Sequence, residues 1–217
     1  MGELDGKVAI VTGAGRLRGI GRAAAVALAR LGADVVLTGT GRSPDSFPED
    51  EKSIGWRDIH SVADQVREIG TRALPMVVDV TDRQAVQTMV DKTLEELGRV
   101  DILINNAAFA RGVDRVPISD LDEDIFQKVM DIKVTGTFLC TKASIKPMID
   151  QGEGGKIVNI SSTAGKRGSA NTLAYNGANF AIVGMTQSMA RELGPHSINV
   201  NAVCPGAVDT HRMDILG

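Results

Sequence analysis

Residues 7–38 read KVAIVTGAGRLRGIGRAAAVALARLGADVVLT, and their hydrophobic pattern changes period twice. Residues 7–12 are a short apolar run of strand length that ends in Gly13, Ala14 and Gly15. A helical spacing then takes over, with Ile20, Ala24, Ala27, Leu28 and Leu31 on one face. Gly32 ends that helix, and residues 34–38 form a second apolar run. Strand, glycine-rich turn, helix and strand make a mononucleotide-binding unit with a right-handed crossover. Glycines at 13, 19 and 21 let the backbone turn tightly, approach a pyrophosphate and pack the helix on the sheet. The helix N-terminus then faces the phosphate charge.

The rest of the chain repeats the alternation. Residues 41–57 are polar, carry two prolines and lack any period, which predicts a loop. Its Phe47 and Trp56 either cap a ligand or pack the loop onto the body, and the second reading is preferred. A helix is expected over 59–69 and a third strand over 74–80, where Pro75 indicates a sheet edge. Asp82 is the expected N-cap of a helix reaching residue 97, and 100–105 is a fourth strand leading into Asn106 and Ala107. A long helical region, open to interruption, covers 122–149, and a sixth strand covers 197–204 before Pro205 and Gly206. Strands alternating with helices predict an α/β fold, a doubly wound parallel sheet in a single domain spanning 1–217. Ligands of such sheets sit at the carboxyl ends of the strands, where the glycine turn, Asn106 and Ala107, Ser161 and Ser162, and Pro205 and Gly206 would converge.

Between the fourth and sixth strands stands GKIVNISSTAGKRGSANTLAYNGAN, residues 155–179. An alternating strand at 157–160 breaks at Ser161 and Ser162, and Tyr175 follows on a helix 13 residues after Ser162. A hydroxyl at a strand end and a phenol on the next helix can pinch one carbonyl oxygen between two donors. Ser162 would hold the oxygen and Tyr175 would give or take the proton.

Bulk properties narrow the function. The 217 residues suffice for a real core, and 43% hydrophobic with 24% charged residues is the balance of a globular protein. A net charge of −3 argues against nucleic acid as a partner. Apolar runs of strand length argue against a membrane, and the N-terminal residues lack the pattern of a signal peptide, so a cytoplasmic location is expected. Cys140 and Cys204 lack a metal-ligand spacing and His60, His196 and His211 are scattered, so no metal site is expected.

On these residues the chain resembles the short-chain dehydrogenase/reductase family. The landmarks are Thr12, Gly13, Gly19, Ile20 and Gly21; then Asp79, Val80, Thr81 and Asp82; then Asp101 with Asn105, Asn106 and Ala107. Ile160, Ser161 and Ser162, Tyr175, and Pro205, Gly206 and Thr210 complete them, in order along nearly the whole chain. The resemblance implies a Rossmann-type sheet in the order 3-2-1-4-5-6, followed in the family by a seventh strand. It implies NAD(P)-dependent hydride transfer between an alcohol and a carbonyl, with a small molecule as substrate. Gly13, Gly15, Gly19, Ile20 and Gly21 would hold the phosphates, Asp79 and Val80 the adenine, and Asn106 and Ala107 the length of the dinucleotide. Pro205, Gly206, Val208 and Thr210 would lie beside the nicotinamide. The helices over 122–149 and 172–193 would pair across a two-fold axis in a homodimer or homotetramer.

Departures from the family pattern are informative. Where the family reads Tyr-x-x-x-Lys, this chain has Tyr175 followed at the fourth position by Asn179. Where the family places an asparagine ahead of a glycine, this chain has Lys133 ahead of Gly136. The two residue types have exchanged places, so Lys133 is expected to reach into the site and restore the cation near Tyr175, while Asn179 hydrogen-bonds a ribose hydroxyl. The other outcome of the exchange is a dinucleotide-binding protein without catalysis. The glycine turn is longer than the family's, with five residues between Gly13 and Gly19, so a bulge is expected at 15–18. Relatives continue beyond the Pro-Gly motif, so the chain is expected to be incomplete at Gly217. The second strand ends without a carboxylate, and Arg18 and Arg42 could meet a 2′-phosphate, which favours NADP(H) over NAD(H).

Overall fold

The structure, a computed structural model, describes residues 2–110 and 112–214. Strand β1 (Val8–Val11) leads through the glycine turn into helix α1 (Ile20–Arg30), and β2 (Asp34–Gly39) follows. Next come the short α2 (Glu49–Ser53), α3 (Ile59–Ile69), β3 (Ala73–Val77), α4 (Arg83–Leu97) and β4 (Ile102–Asn105). Helix α5 (Glu123–Met130) runs through a π-helical turn (Asp131–Thr135) into α6 (Gly136–Gln151) and β5 (Gly155–Ile160). Helix α7 (Leu173–Leu193), β6 (Ile198–Val203) and the single-turn α8 (His211–Asp214) complete it. The six strands form one parallel sheet in the order β3-β2-β1-β4-β5-β6, as expected. Among the described residues no helix is long and apolar enough to cross a membrane.

Alternation along β1 sorts the core. Val8 and Ile10 face a cluster with Val86, Met89, Leu139 and Met148 from α4 and α6. Ala9 and Val11 face a second cluster with Ala25, Ala29, Val62 and Val66 from α1 and α3. A strand buried on both faces has no polar side, so it reads as a continuous apolar run. Each fully buried large side chain, such as Ile10, Leu37 or Ile157, contributes about 2 kcal/mol by leaving water.

Local expectations fare unevenly. Asp82 caps α4, its carboxylate accepting from Gln84 N at 2.8 Å and Ala85 N at 3.1 Å. Pro75 sits on the edge strand β3, although that strand stops at Val77 rather than 80; only the Val78 amide still reaches Gly39 O, at 2.9 Å. The buried face of α1 is corrected to Gly21, Ala25 and Ala29, with Ala27 and Leu31 exposed. Close approach decides this face: a Cβ at Gly21 would stand 2.6 Å from Asn106 Nδ2 and 2.7 Å from Gly13 O. The 41–57 segment is not all loop, because the acidic first turn Glu49, Asp50 and Glu51 favours the helix start of α2. Phe47 and Trp56 are buried in the α1–α3 face, which settles them as packing residues.

Candidate active site

Every site residue named from the sequence lines one cleft of about 840 Å³ at the carboxyl ends of the strands. The glycine turn forms one wall. Thr12 holds it against β4, its hydroxyl accepting from Asn106 N at 3.0 Å and Ala107 N at 3.1 Å. The Asn106 side-chain amide returns two bonds, to Thr12 O and Gly13 O, each at 2.9 Å. Gly13 sits at φ +66° with its missing Cβ aimed 2.9 Å from Ala107 Cα, so the turn needs glycine for both conformation and space.

The bulge at 15–18 is braced by the 41–57 segment. Trp56 Nε1 donates to Gly15 O at 2.7 Å, Leu17 N donates to the fully buried Glu51 Oε1 at 2.9 Å, and Arg22 stacks 5.7 Å from the Trp56 ring centroid. The glycine turn and the 41–57 segment thus fold against each other. Neither fragment alone has a regular pattern, so no local signal announced this.

The other wall carries the polar residues. Ser162 is buried at the end of β5, and its hydroxyl accepts from Ala164 N at 3.1 Å, which leaves its proton free to be donated into the cleft. Tyr175 lies in the first turns of α7, and the Arg115 guanidinium lies 3.9 Å above its ring centroid. Arg115 also pairs with the buried Asp114 at 3.3 Å. Lys133 is buried on the π-helical turn, where its ammonium donates to the Ile160 carbonyl. That turn widens the helix and directs residue 133 at the end of β5. Gly136 keeps it close, since a Cβ there would meet Val80 Cγ2 at 2.6 Å. Asn179 is 1% exposed; its amide donates to Tyr175 O at 2.8 Å and its Oδ1 has no partner within the chain. Thr38 Oγ1, also in the cleft wall, is buried without a partner as well. Orphaned polar atoms facing a cleft are what a polar ligand satisfies.

Beneath the site, Asn105 Nδ2 reaches Thr141 Oγ1 at 3.1 Å and Asn159 Oδ1 at 2.8 Å, and Asn159 Nδ2 reaches Thr186 Oγ1 at 2.9 Å. This buried ladder ties α6, β4, β5 and α7 together below the cleft. On the open side, Thr163 N bonds Pro205 O at 2.9 Å and holds the 205–210 segment against the site.

The arginines are placed differently from the expectation. Arg42 is engaged by Glu51 at 2.9 Å and Asp58 at 3.3 Å, and stacks 4.5 Å from the Phe47 ring centroid. Arg18 reaches Asp209 at 2.5 Å across the mouth of the cleft. Asp58 and Glu51 were not anticipated. The sole sequence hint was an acid standing immediately ahead of the 59–69 helix.

Comparison with known proteins gives consistent findings. The family described as short chain dehydrogenase matches residues 7–215. The short chain dehydrogenase/reductase astE of Aspergillus oryzae is 42% identical over 208 residues, which are 96% of this chain and 73% of that protein. The structure of carveol dehydrogenase from Mycobacterium avium in complex with NAD is 33% identical with a TM-score of 0.86, covering 98% of this chain and 75% of that one. The structure of NAD+-bound xylitol dehydrogenase is 36% identical with a TM-score of 0.82, covering 94% of this chain and 71% of that one. These NAD complexes overturn the expectation of NADP(H). The physical reason for the error lies in Arg42, whose guanidinium is held between two carboxylates rather than offered to a phosphate.

Proposed function

The chain belongs to the short-chain dehydrogenase/reductase family, and we propose that it is an NAD(H)-dependent oxidoreductase, interconverting a secondary alcohol and its carbonyl. One observation carries the reading. Ser162, Tyr175, Lys133 and Asn179 share a cleft with a glycine turn built for a pyrophosphate. The residues fit a dinucleotide, because the cleft walls hold buried polar atoms that the chain itself leaves unpaired, Asn179 Oδ1 and Thr38 Oγ1.

A bound nicotinamide supplies the hydride acceptor or donor. The chain supplies everything else. Gly13, Gly15, Arg18, Gly19, Ile20 and Gly21 receive the phosphates, with the α1 N-terminus providing unpaired backbone donors. Asp79 and Val80 flank the adenine, Asn106 and Ala107 line the length of the dinucleotide, and Pro205, Gly206, Val208 and Thr210 bound the nicotinamide end. Ser162 donates its hydroxyl proton to the substrate oxygen and holds it in place. Tyr175 transfers the proton, giving it to the oxygen in reduction and taking it in oxidation. Lys133 supplies the cation that the family carries at the position of Asn179, and Asn179 accepts from a ribose hydroxyl. The assembly is a cytoplasmic homodimer or homotetramer, paired through α5, α6 and α7, where Phe138 and Phe180 are half exposed.

The test is a fluorescence titration with NADH, followed by turnover on a panel of carbonyls and secondary alcohols. The expected result is binding and turnover by the natural chain, with turnover sharply lowered in Lys133→Asn. The exchange of Lys133 and Asn179 favours one competing reading, a dinucleotide-binding protein without catalysis. Binding without any turnover across the panel would establish that reading instead.

A further inference from the structure

We infer that Asp58 is the residue that reads the adenosine ribose of the cofactor and excludes a 2′-phosphate, a role that no residue of β2 can fill. This deepens the dinucleotide reading above and rests on it. Selection of NAD requires a carboxylate near the end of the second strand to accept from the ribose hydroxyls. In this chain β2 ends Leu37, Thr38, Gly39, and the next residues are Thr40, Gly41 and Arg42. No acid stands there.

The carboxylate arrives from the far side of the 41–57 segment. Asp58 precedes α3, is 7% exposed, and lines the same cleft as Gly15, Gly39 and Thr38. Its position is defined by two glycines. A Cβ on Gly15 would stand 1.4 Å from Asp58 Oδ1, and a Cβ on Gly39 would stand 3.8 Å from each carboxylate oxygen. The carboxylate therefore lies across the gap between the phosphate turn and the end of β2.

Two features mark this placement as constrained. Asp58 has φ +53° and ψ −130°, one of three non-glycine residues with positive φ among those described. A residue with a Cβ enters that region only where the surroundings compel it. Preceding a helix, Asp58 is also placed to cap it, yet its side chain makes no capping bond. The carboxylate is directed to the cleft instead.

Charge around it favours hydroxyls over phosphate. Arg42 makes its shorter contact with Glu51, at 2.9 Å, and its longer ones with Asp58, at 3.3 Å from both its guanidinium and its backbone amide. The Arg42 guanidinium is thereby taken up by two side chains of the chain itself. His211 Nε2 lies 3.5 Å from Glu51 and 3.6 Å from Asp50. Hydrogen bonds from two ribose hydroxyls satisfy the remaining acceptor positions of Asp58, whereas a 2′-phosphate meets like charge.

The experiment is isothermal titration of the natural chain and of Asp58→Asn with NAD+ and NADP+, with thermal melts confirming that the variant folds. NAD+ binding by the natural chain and a rise of about tenfold or more in its Kd in Asp58→Asn support the proposal, the loss expected for a charge-assisted hydrogen bond. NADP+ binding should stay level or tighten in the same variant. An NAD+ Kd unchanged within twofold in a folded Asp58→Asn overturns it. The natural chain titrated with NAD+ lacking the adenosine 2′-hydroxyl gives an answer that no folding defect disturbs: weaker binding by about tenfold supports the role, and equal affinity overturns it. Failure of the natural chain to bind NAD+ at all overturns the dinucleotide reading itself, and is thereby distinguished from failure of Asp58 alone.

Discussion

The two ends of the parallel sheet handle charge in opposite ways. At the amino ends, Asp101 accepts from Val8 N at 2.9 Å and from both Arg99 Nε and Nη2 at 2.7 Å, with Lys7 3.3 Å away. Glu153 closes the group, 2.7 Å from Lys7 and 2.5 Å from Arg99. Every carboxylate there has a partner within the chain. At the carboxyl ends, Asn179 Oδ1 and Thr38 Oγ1 have none, and Asp58 is held at a positive φ. Polar groups that satisfy one another hold elements together, and their work is finished on folding. Polar groups left unsatisfied beside a cleft cost stability, and a ligand recovers it.

Variants at the two ends should therefore fail differently. Tyr175→Phe removes the proton donor and should lower turnover about a thousandfold, while leaving the NADH titration and the melting temperature almost unchanged. Turnover within tenfold of the natural chain would remove Tyr175 from the chemistry. Lys133→Asn should cost about a hundredfold in kcat, and Asn179→Ala far less. The paired change Lys133→Asn with Asn179→Lys should restore part of the loss, because it returns the cation to the family's position. Equal losses in the two single variants would contradict the exchange.

Asp101→Asn is the matching experiment at the amino ends. It should destabilise the chain by about 2 kcal/mol, the scale of hydrogen bonds to a charged group, with turnover per folded molecule unchanged. Burial pushes the Asp101 carboxyl up, but the Arg99 guanidinium and the Val8 amide outweigh it and hold it below the ordinary carboxylate value. A depressed folded pKa adds stability that is complete above the unfolded value of about 4 and is lost as pH falls through the folded one. The gap in stability between Asp101→Asn and the natural chain should accordingly narrow in acid melts below pH ~4. Glu153 is held at about 2 by its bonds to Lys7 and Arg99, but it is exposed to solvent, so salt should screen its share.

The smallest expected effect tests the link between turn and carboxylate. Gly15→Ala places a methyl on the Asp58 oxygen, and the side chain must move aside. NAD+ affinity should fall about tenfold, and the melting temperature should drop with it, because overpacking costs folding about 1 kcal/mol. An unchanged NAD+ affinity would separate Gly15 from the Asp58 carboxylate.

Legibility in the sequence follows the same division. The six strands and the cleft were readable because each rests on a local pattern: a change of hydrophobic period, a glycine turn, a hydroxyl and a phenol 13 residues apart. The order of the strands came from the family resemblance, since no local pattern carries it. Lys133 was noticed because it occupied a position where the family has another residue. The long 41–57 segment defeated that approach. Its Phe47, Glu51 and Trp56 have no period, and their meaning lies in Gly15, Leu17 and Arg42, which pattern reading treats separately.

Arg42 shows the limit most plainly. Its sequence position after the second strand suggested a phosphate partner, and packing instead placed it between Glu51 and Asp58. The amino-acid sequence by itself determined the alternation of elements, the sheet they build and the residues gathered at its carboxyl edge, because those depend on spacing within one segment. Only the tertiary structure decided which charges face the cleft. A side chain's electrostatic partner is set by whatever the fold brings within a few ångströms, and for Asp58 and Gly15 that neighbour lies 43 residues away along the chain.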